Sequence, residues 1–222
     1  IPTDRQVYVY CKSGFRAAQA LAALGLVGYD NVLSYRPGWD GWTEAGEEVS
    51  TEATMAEVVG APDIEPELLA AVDDYMSTIP EGFLAIGDVQ VFKDGVEASG
   101  ALIVDVRETS EYAEGHIPGA VNIPIRTLTQ NLDKIPTDRQ VYIYCKSGFR
   151  AATSLAALGL VGYDNVLSYK PGWNGWTEAG EEVSTEATMA EVVGAPDIEP
   201  ELFAAVDAYM TTIPEGFYSA GD

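Results

Sequence analysis

An internal duplication constrains the fold of this chain more than any other feature. Residues 1–88 (the first copy) align without gaps to residues 135–222 (the second copy) and are identical at 77 of 88 positions. A period of 134 residues is far longer than a solenoid unit, so we expect tandem domains. The segment that precedes the second copy, residues 89–134 (the single segment), occurs only once. We therefore expect a truncated first domain and a complete second one.

The duplication carries a six-residue motif, Cys-Lys-Ser-Gly-Phe-Arg, at residues 11–16 and 145–150, which includes both cysteines of the chain. Each motif follows an apolar run (VYVY or VYIY) and precedes an alanine-rich stretch. This order predicts a strand, a short loop and a helix. Unpaired N–H groups and the dipole of a helix N-terminus favour a thiolate. The pattern predicts one nucleophilic cysteine that is present twice, and a disulfide between the copies is not expected.

Charge and composition narrow the classes of function. The net charge is −23 and the pI is near 4.1, whereas nucleic-acid binding requires a basic face. No apolar run approaches the ~20 residues of a membrane span. The chain has a single histidine and no G-x-G-x-x-G motif, so neither a metal site nor a nucleotide cofactor is expected. Neither nucleic acid nor membrane is therefore an expected partner.

The pattern along the complete unit alternates strands and helices. Short apolar runs predict strands at residues 101–106 (ALIVDV), 120–125 (AVNIPI), 141–144 (VYIY) and 165–169 (NVLSY). A short helix is predicted with Thr109 or Ser110 as its N-cap. Further helices are predicted over residues 125–135 and over residues 150–158. The acidic tail of each copy shows two helix signals, the second starting at Pro200, and is interpreted as a packed linker or as a partner-binding helix. This alternation indicates an α/β unit with a parallel sheet.

The stretch LIVDVRETSEYAEGHIPGAVNIPI, followed by YIYCKSGFRA and NVLSYKPGWNGW, resembles the rhodanese (sulfurtransferase) family. The resemblance covers residues 88 to about 180, and residues 1 to about 46 as a C-terminal half. It implies a three-layer α/β fold with a central parallel sheet. We therefore expect a half-domain at 1–46, an acidic helical linker at 47–87, a complete domain at 88–180 and an acidic helical extension at 181–222.

The resemblance also implies the chemistry of the motif. A sulfurtransferase would take sulfane sulfur from thiosulfate or a persulfide onto the cysteine and pass it to a thiol or cyanide, without a cofactor. The catalytic residues would be Cys145 and Cys11, and Asp105 with Arg107 would support the loop. The residues expected to bind substrate are Lys146, Ser147, Gly148, Phe149 and Arg150, and in the first copy Lys12, Ser13, Gly14, Phe15 and Arg16.

Several alternatives remain open at the level of sequence. The spacing C-x4-R is one residue shorter than the C-x5-R of the related phosphatases and favours a single terminal sulfur over a tetrahedral oxyanion. There are two rival functions. One is a phosphatase or arsenate reductase on the same scaffold, and the other is a binding module that only carries a persulfide. Arg150 would form a fork to an oxyanion or pair with a carboxylate. His116 is interpreted as structural, and the tryptophans of the PGW-x-GW repeat as packing residues.

The first half-domain poses a separate question, because residues 1–46 have no counterpart of ALIVDV or AVNIPI. The direct junction of residues 134 and 135 predicts that the single segment pairs locally, with the second copy. The first half-domain is then expected to be completed by an upstream fragment or a neighbouring molecule. The chain does not begin with Met and is interpreted as a piece of a longer tandem protein or a trimmed form of one. The compartment is left open, with the cytoplasm as the default and export as an alternative.

Overall fold

The computed structural model describes residues 1–55, 57, 59–214, 217 and 219–220. Within them, every strand pairing is parallel, and the strands form a five-stranded sheet of order β3-β7-β6-β4-β5 and a three-stranded sheet of order β1-β2-β8. The strands are β1 (Val7–Val9), β2 (Val32–Tyr35), β3 (Ala85–Ile86), β4 (Leu102–Asp105), β5 (Val121–Asn122), β6 (Val141–Tyr144), β7 (Val166–Tyr169) and β8 (Ser219–Ala220). The predicted α/β fold with a central parallel sheet is confirmed.

The helices alternate with these strands. They are α1 (Phe15–Leu26), α2 (Gly38–Glu44), α3 (Pro66–Thr78), α4 (Val89–Ser99), α5 (Thr109–Glu114), α6 (Phe149–Leu160), α7 (Gly172–Glu178) and α8 (Pro200–Thr211). Two 3₁₀ segments, Ile125–Thr127 and Thr129–Lys134, stand where the sequence predicted one helix over residues 125–135. Asn131, at φ −128°, interrupts helical geometry within the second segment. No helix in the described residues is both long and apolar enough to cross a membrane.

The five-stranded sheet is covered on both faces, which gives the complete domain three layers. Successive strand residues point to opposite faces. Val104 and Ile143 belong to the core that includes α6, whereas Ile103 and Tyr142 belong to a second core with Phe92 of α4 and with residues of α5 and α7. All four residues of β6 are buried, as expected for a central parallel strand.

Two local predictions require correction. The residue that caps α5 is Glu108, not Thr109 or Ser110: its side chain accepts from the third helical residue, and the Glu111 carboxylate accepts from the Glu108 N–H at 3.1 Å. This reciprocal pair is a capping box, here with a carboxylate in the place of a hydroxyl. The acidic stretch 181–199 contains no helix, so within the predicted helical extension of residues 181–222 the structure has one helix in the described residues, α8.

Residues 85–86, which the sequence analysis assigned to the linker, form the edge strand β3 and pair with Ser168 and Tyr169 of β7. The matching residues of the second copy form β8, which pairs with Ser34 and Tyr35 of β2. The end of each copy thus supplies an edge strand to the other copy's sheet. The single segment contributes β4, which pairs with β6 across residues 102–105 and 141–144.

The two copies also pack through their helices. Helix α1 lies against α6, and each also contacts α3 and α8. The tail helices cross over: a Cβ at Gly159 of the second copy would overlap the Tyr75 ring of α3, and a Cβ at Gly25 of the first would overlap the Tyr209 ring of α8. Each glycine therefore admits an aromatic ring from the other copy, so the copies share one core.

Candidate active site

The loop after β6 places Cys145 at the N-terminus of α6. Cys145 is buried, with 1% of its surface exposed, and the Gly148 N–H donates to Cys145 Sγ at 3.2 Å. Gly148 has a φ of +89°, and a Cβ there would lie 2.5 Å from the Lys170 carbonyl oxygen. Only glycine satisfies both the left-handed backbone and this close approach. The loop therefore aims a backbone donor at the sulfur.

Backbone hydrogen bonds hold the same loop from the other side. The N–H groups of Trp173 and Asn174, at the start of α7, donate to the carbonyl oxygens of Cys145 and Lys146 at 2.8 and 3.0 Å. These bonds satisfy the two loop carbonyls and fix the loop against the start of α7. The PGW-x-GW repeat thus has a structural role here: it anchors the cysteine loop, while Trp176 packs in the core.

Arg150 follows the loop, in the first turn of α6, and its guanidinium is engaged by a carboxylate. Its Nη1 and Nη2 donate to the two carboxylate oxygens of Glu111 at 2.5 and 2.8 Å. Burial disfavours the charged form of Arg150, but hydrogen bonding to Glu111 and the charges of Cys145 and Glu111 outweigh it, so the pKa of Arg150 is raised. Of the two interpretations of Arg150, the structure shows the carboxylate pair.

Glu111 is a residue of the candidate site that sequence reasoning missed. Burial acts to raise its pKa, but hydrogen bonding and charge from Arg150 dominate and hold the pKa of the carboxyl below its usual value. Its other role, in the capping box of α5, fixes where that carboxylate lies. The only signal in the sequence was the acidic residue in a short helix; nothing local indicates an arginine 39 positions later.

Asp105 and Arg107 form a buried ion pair under the loop. They are 0% and 2% exposed, and Arg107 Nη2 lies 2.6 Å from Asp105 Oδ2. The guanidinium also donates to the Gly115 carbonyl oxygen at 2.7 Å and lies over the Trp173 ring at 4.6 Å. The Arg107 side chain thus links the end of α5 to the start of α7. A buried ion pair of this kind fixes geometry more than it stabilises the fold.

His116 is also fully buried, against Tyr112. The two rings stack with centroids 3.7 Å apart, and Nδ1 and Nε2 lie 2.9 and 3.0 Å from the carbonyl oxygens of Tyr112 and Glu186. Backbone hydrogen bonds to Ser184 complete the contact. His116 therefore ties the acidic extension to the domain, which agrees with its structural interpretation.

A cleft of about 1040 Å³ opens above Cys145 and is lined by both copies. The first copy contributes Ser13, Gly14, Phe15, Arg36 and Pro37. Five basic residues line the cleft against two carboxylates within the described residues, in a chain of net charge −23. The basic residues are Arg36, Arg126, Lys146, Arg150 and Lys170, and the acidic ones are Glu108 and Glu111. The cleft is thus a local exception to the acidity of the chain and favours an anionic ligand.

Aromatic rings from the two tails lie next to arginines of the cleft and of the first-copy loop. The Phe217 ring lies 5.4 Å from the guanidinium carbon of Arg150 and 5.0 Å from that of Arg126. In the first copy the Phe83 ring lies 5.2 Å from that of Arg16. Phe83 and Phe217 have φ values of +52° and +51°, in the left-handed region that non-glycine residues rarely adopt.

The first copy repeats the loop but not its surroundings. Gly14 has a φ of +84° and matches Gly148, and Phe15 is buried like Phe149. Burial acts to raise the pKa of the Cys11 thiol, but hydrogen bonds from the backbone N–H groups of Ala17, Ser13, Arg16 and Gly14 lower it below its ordinary value. Lys12, Ser13 and Arg16 are exposed, and within the described residues no carboxylate pairs with Arg16.

Comparison with known proteins assigns the family. The model of the Rhodanese-like domain matches residues 2–45 and 88–179, which is more than half of the chain. The chain belongs to the rhodanese-like family. The two matched segments correspond to the half-domain and the complete domain of the sequence analysis.

Curated relatives and solved structures match parts of the chain. A protein named Sulfurtransferase from Allochromatium vinosum is 39% identical over 79 residues, which are 36% of this chain and 74% of that protein. Thiosulfate sulfurtransferase GlpE from Shewanella oneidensis is 31% identical over 83 residues, 37% of this chain and 82% of that protein. The chain spans 52% to 74% of the length of the first curated relatives it matches.

A crystal structure of a rhodanese-related protein from Thermoplasma volcanium shows 27% identity and a TM-score of 0.42, and the match covers 46% of this chain and 98% of that one. The family assignment rests on the family model, not on this likeness.

Proposed function

We propose that the chain is a sulfurtransferase that carries sulfane sulfur as a persulfide on Cys145. Membership of a family whose curated relatives include sulfurtransferases supports sulfur transfer as the general chemistry. The observation that carries the proposal is the Gly148 N–H aimed at Cys145 Sγ at the start of α6. A backbone donor and a helix N-terminus stabilise a thiolate before the reaction and the outer sulfur anion after it.

The proposed reaction proceeds in two displacements. The Cys145 thiol loses its proton to solvent, and the thiolate attacks the outer sulfur of thiosulfate. The S–S bond of thiosulfate breaks, and sulfite leaves with the electron pair, so that Cys145 becomes a persulfide. An acceptor thiolate or cyanide then attacks the outer sulfur, and the Cys145 thiolate is released. The lysines of the cleft, Lys146 and Lys170, would attract the anionic donor.

The position of Arg150 supports this chemistry over the phosphatase alternative. Nη1 and Nη2 of its guanidinium each donate to Glu111, so two of the five N–H donors are already used and the end-on fork is not available to a tetrahedral oxyanion while this pair is in place. We propose that Arg150 acts on Cys145 through its charge and through its hold on the loop. One interpretation of the sequence is that Arg150 binds an oxyanion directly, and the role proposed here is a different one.

A turnover assay tests the proposed function. Incubation with thiosulfate is expected to add one sulfur atom to Cys145, visible in the intact mass and removed by dithiothreitol. Turnover with thiosulfate and cyanide should be lost in Cys145→Ser. Hydrolysis of an aryl phosphate without any sulfur loading would instead favour a phosphatase, and loading without turnover would favour a persulfide-carrying binding module.

We also propose that residues 1–46 are half of a second rhodanese domain, to be completed by further polypeptide, and that Cys11 then acts like Cys145. Residues 47–87 and 181–222 would serve as the acidic linker and extension, apart from the edge strands at their ends. The near-identity of the copies supports this proposal, because it preserves the whole loop from Cys11 to Arg16.

A further inference from the structure

Strand β1 of the first half-domain is paired on one side only. It pairs with β2 through Val7, Tyr8 and Val9, and no other strand of the described residues pairs with it. Its counterpart β6 lies between β7 and β4. The side of β1 that corresponds to β4 is therefore open, and a parallel edge of this kind presents unpaired N–H and C=O groups.

The side chains of this region show the same incompleteness. Tyr8 and Tyr10 are 58% and 62% exposed, whereas their counterparts Tyr142 and Tyr144 are 5% and 0% exposed. In the complete domain, residues of the single segment cover these rings. Phe92 packs edge-on against Tyr142 at 5.3 Å, and the Ile117 N–H donates to the Tyr144 hydroxyl at 3.1 Å.

Arg16 extends the same surface. It is exposed, whereas Arg150 is buried by its fork to Glu111, which also belongs to the single segment. The open edge of β1, the rings of Tyr8 and Tyr10, and Arg16 thus lie where the single segment covers the second copy. We call them the β1 surface.

We propose that the β1 surface binds a helix–strand–helix–strand polypeptide of the same type as residues 89–134. This inference rests on the proposed completion of the half-domain and names its surface and its partner. The partner supplies a β4-like strand to the edge of β1, an apolar cover for the two tyrosines, and a carboxylate at the position of Glu111 to pair with Arg16. The 77 identities between the copies preserve the complementary surface almost residue by residue.

The partner is an additional segment and not a second copy of this chain. Each chain has one single segment and two surfaces that fit it. In the complete domain β4 lies between β5 and β6, with Val104 and Asp105 0% exposed. A chain that donated this strand to its neighbour would open the edge of its own β6, so exchange between identical chains leaves the number of open edges unchanged.

Amide hydrogen exchange on an extended chain tests the proposal. A second copy of residues 89–134 is placed directly ahead of Ile1, which reproduces the junction between residues 134 and 135. Exchange of the amides of Tyr8 and Tyr10 is expected to slow by at least about tenfold, because their counterparts Tyr142 and Tyr144 face β4, whereas the Val7 N–H already donates to the Asn31 carbonyl oxygen. The matched control carries Val104→Lys in the added segment only, where the fully buried position does not accept a charge.

Each outcome decides the proposal. Slow exchange in the extended chain and fast exchange in both the control and the unextended chain support it. Equal exchange with and without the added segment overturns it, as does an unextended chain that is already protected at Tyr8 and Tyr10 or forms a dimer by native mass. Sulfur loading of Cys145 is measured in the same samples, so a failure of the proposed chemistry is recognised independently of β1 protection.

Discussion

Arg36 of the first copy donates a hydrogen bond from Nη2 to Ser147 Oγ, in the cysteine loop of the second copy, at 2.8 Å. The same guanidinium lies over the Phe149 ring, 5.6 Å from its centroid. The position is one of the 11 at which the copies differ, since the second copy has Lys170 there. The Cys145 loop therefore takes part of its support from the other copy.

Arg36→Lys tests this support with a residue that the chain itself uses at the equivalent position. A lysine keeps the charge but loses the planar fork that both bonds Ser147 and stacks on Phe149. Because the contact is exposed, we expect the KM for thiosulfate to rise only about twofold to fivefold, with kcat nearly unchanged. The control is Lys170→Arg. An unchanged KM in both variants would show that only the charge of the cleft matters, since both substitutions keep it.

Glu111→Gln is expected to weaken the hold of α5 on the cysteine loop. The variant keeps the shape of the side chain but leaves Arg150 without a carboxylate. Because Glu111 is about a third exposed, solvent screening limits the loss to about 1 kcal/mol of unfolding free energy, measured by urea denaturation. Glu108→Gln is the control, since Glu108 also belongs to the capping box but pairs with the more exposed Arg126.

The same pair has a defined pH dependence. The folded-state pKa of Glu111 lies below its unfolded value, so its contribution to stability is fully present above the unfolded pKa and is lost as the pH falls through the folded pKa. The wild type and Glu111→Gln should therefore differ in stability at neutral pH and converge in acid. A difference that persists at the lowest pH would mean that the effect comes from packing.

The two cysteines should differ in reactivity. Cys11 is partly exposed and its thiol pKa is lowered, whereas Cys145 is 1% exposed. In the unextended chain we expect iodoacetamide at neutral pH to modify Cys11 first, with a midpoint of the pH profile below the ordinary thiol value. Peptide mapping after limited alkylation measures the order. Faster modification of Cys145 would show that access to its loop is greater than the structure indicates.

Phe217 offers a test of backbone strain near the site. Phe217→Ala removes the ring over Arg126 and Arg150 but keeps a Cβ at a φ of +51°. Phe217→Gly removes the ring and the Cβ. We expect the glycine variant to be more stable than the alanine variant by about 1 kcal/mol, contrary to the usual order. Phe83→Ala and Phe83→Gly are the matched pair in the first copy. If alanine is the more stable in both pairs, the left-handed geometry is wrong.

The sequence predicted those parts of the fold that local pattern determines. The runs ALIVDV and VYIY form β4 and β6, and the alanine-rich stretch after Cys145 forms α6. The strands β3 and β8 escaped prediction because each has two residues and gains its order from a partner strand far along the chain. The 3₁₀ segments replaced a predicted helix because periodicity does not distinguish the two over so few residues.

In the candidate site, too, the sequence predicted the locally determined residues and missed the pairs between distant residues. Cys145, Gly148 and Arg150 follow from the motif, since the loop and the helix start are local. The pairs Glu111–Arg150 and Arg36–Ser147 join residues 39 and 111 positions apart. Such pairs depend on how segments far apart in the chain pack together, and a single sequence carries no local signal for that.

The crossed packing of Tyr75 on Gly159 and of Tyr209 on Gly25 means that the repeat unit of the sequence is not the unit of folding. Deleting either tail would strip an aromatic ring from the helix behind the other copy's cysteine loop. A substitution in one copy therefore affects the packing of the other copy. Both repeats contribute side chains to one core, so a single repeat expressed alone would lack part of that core.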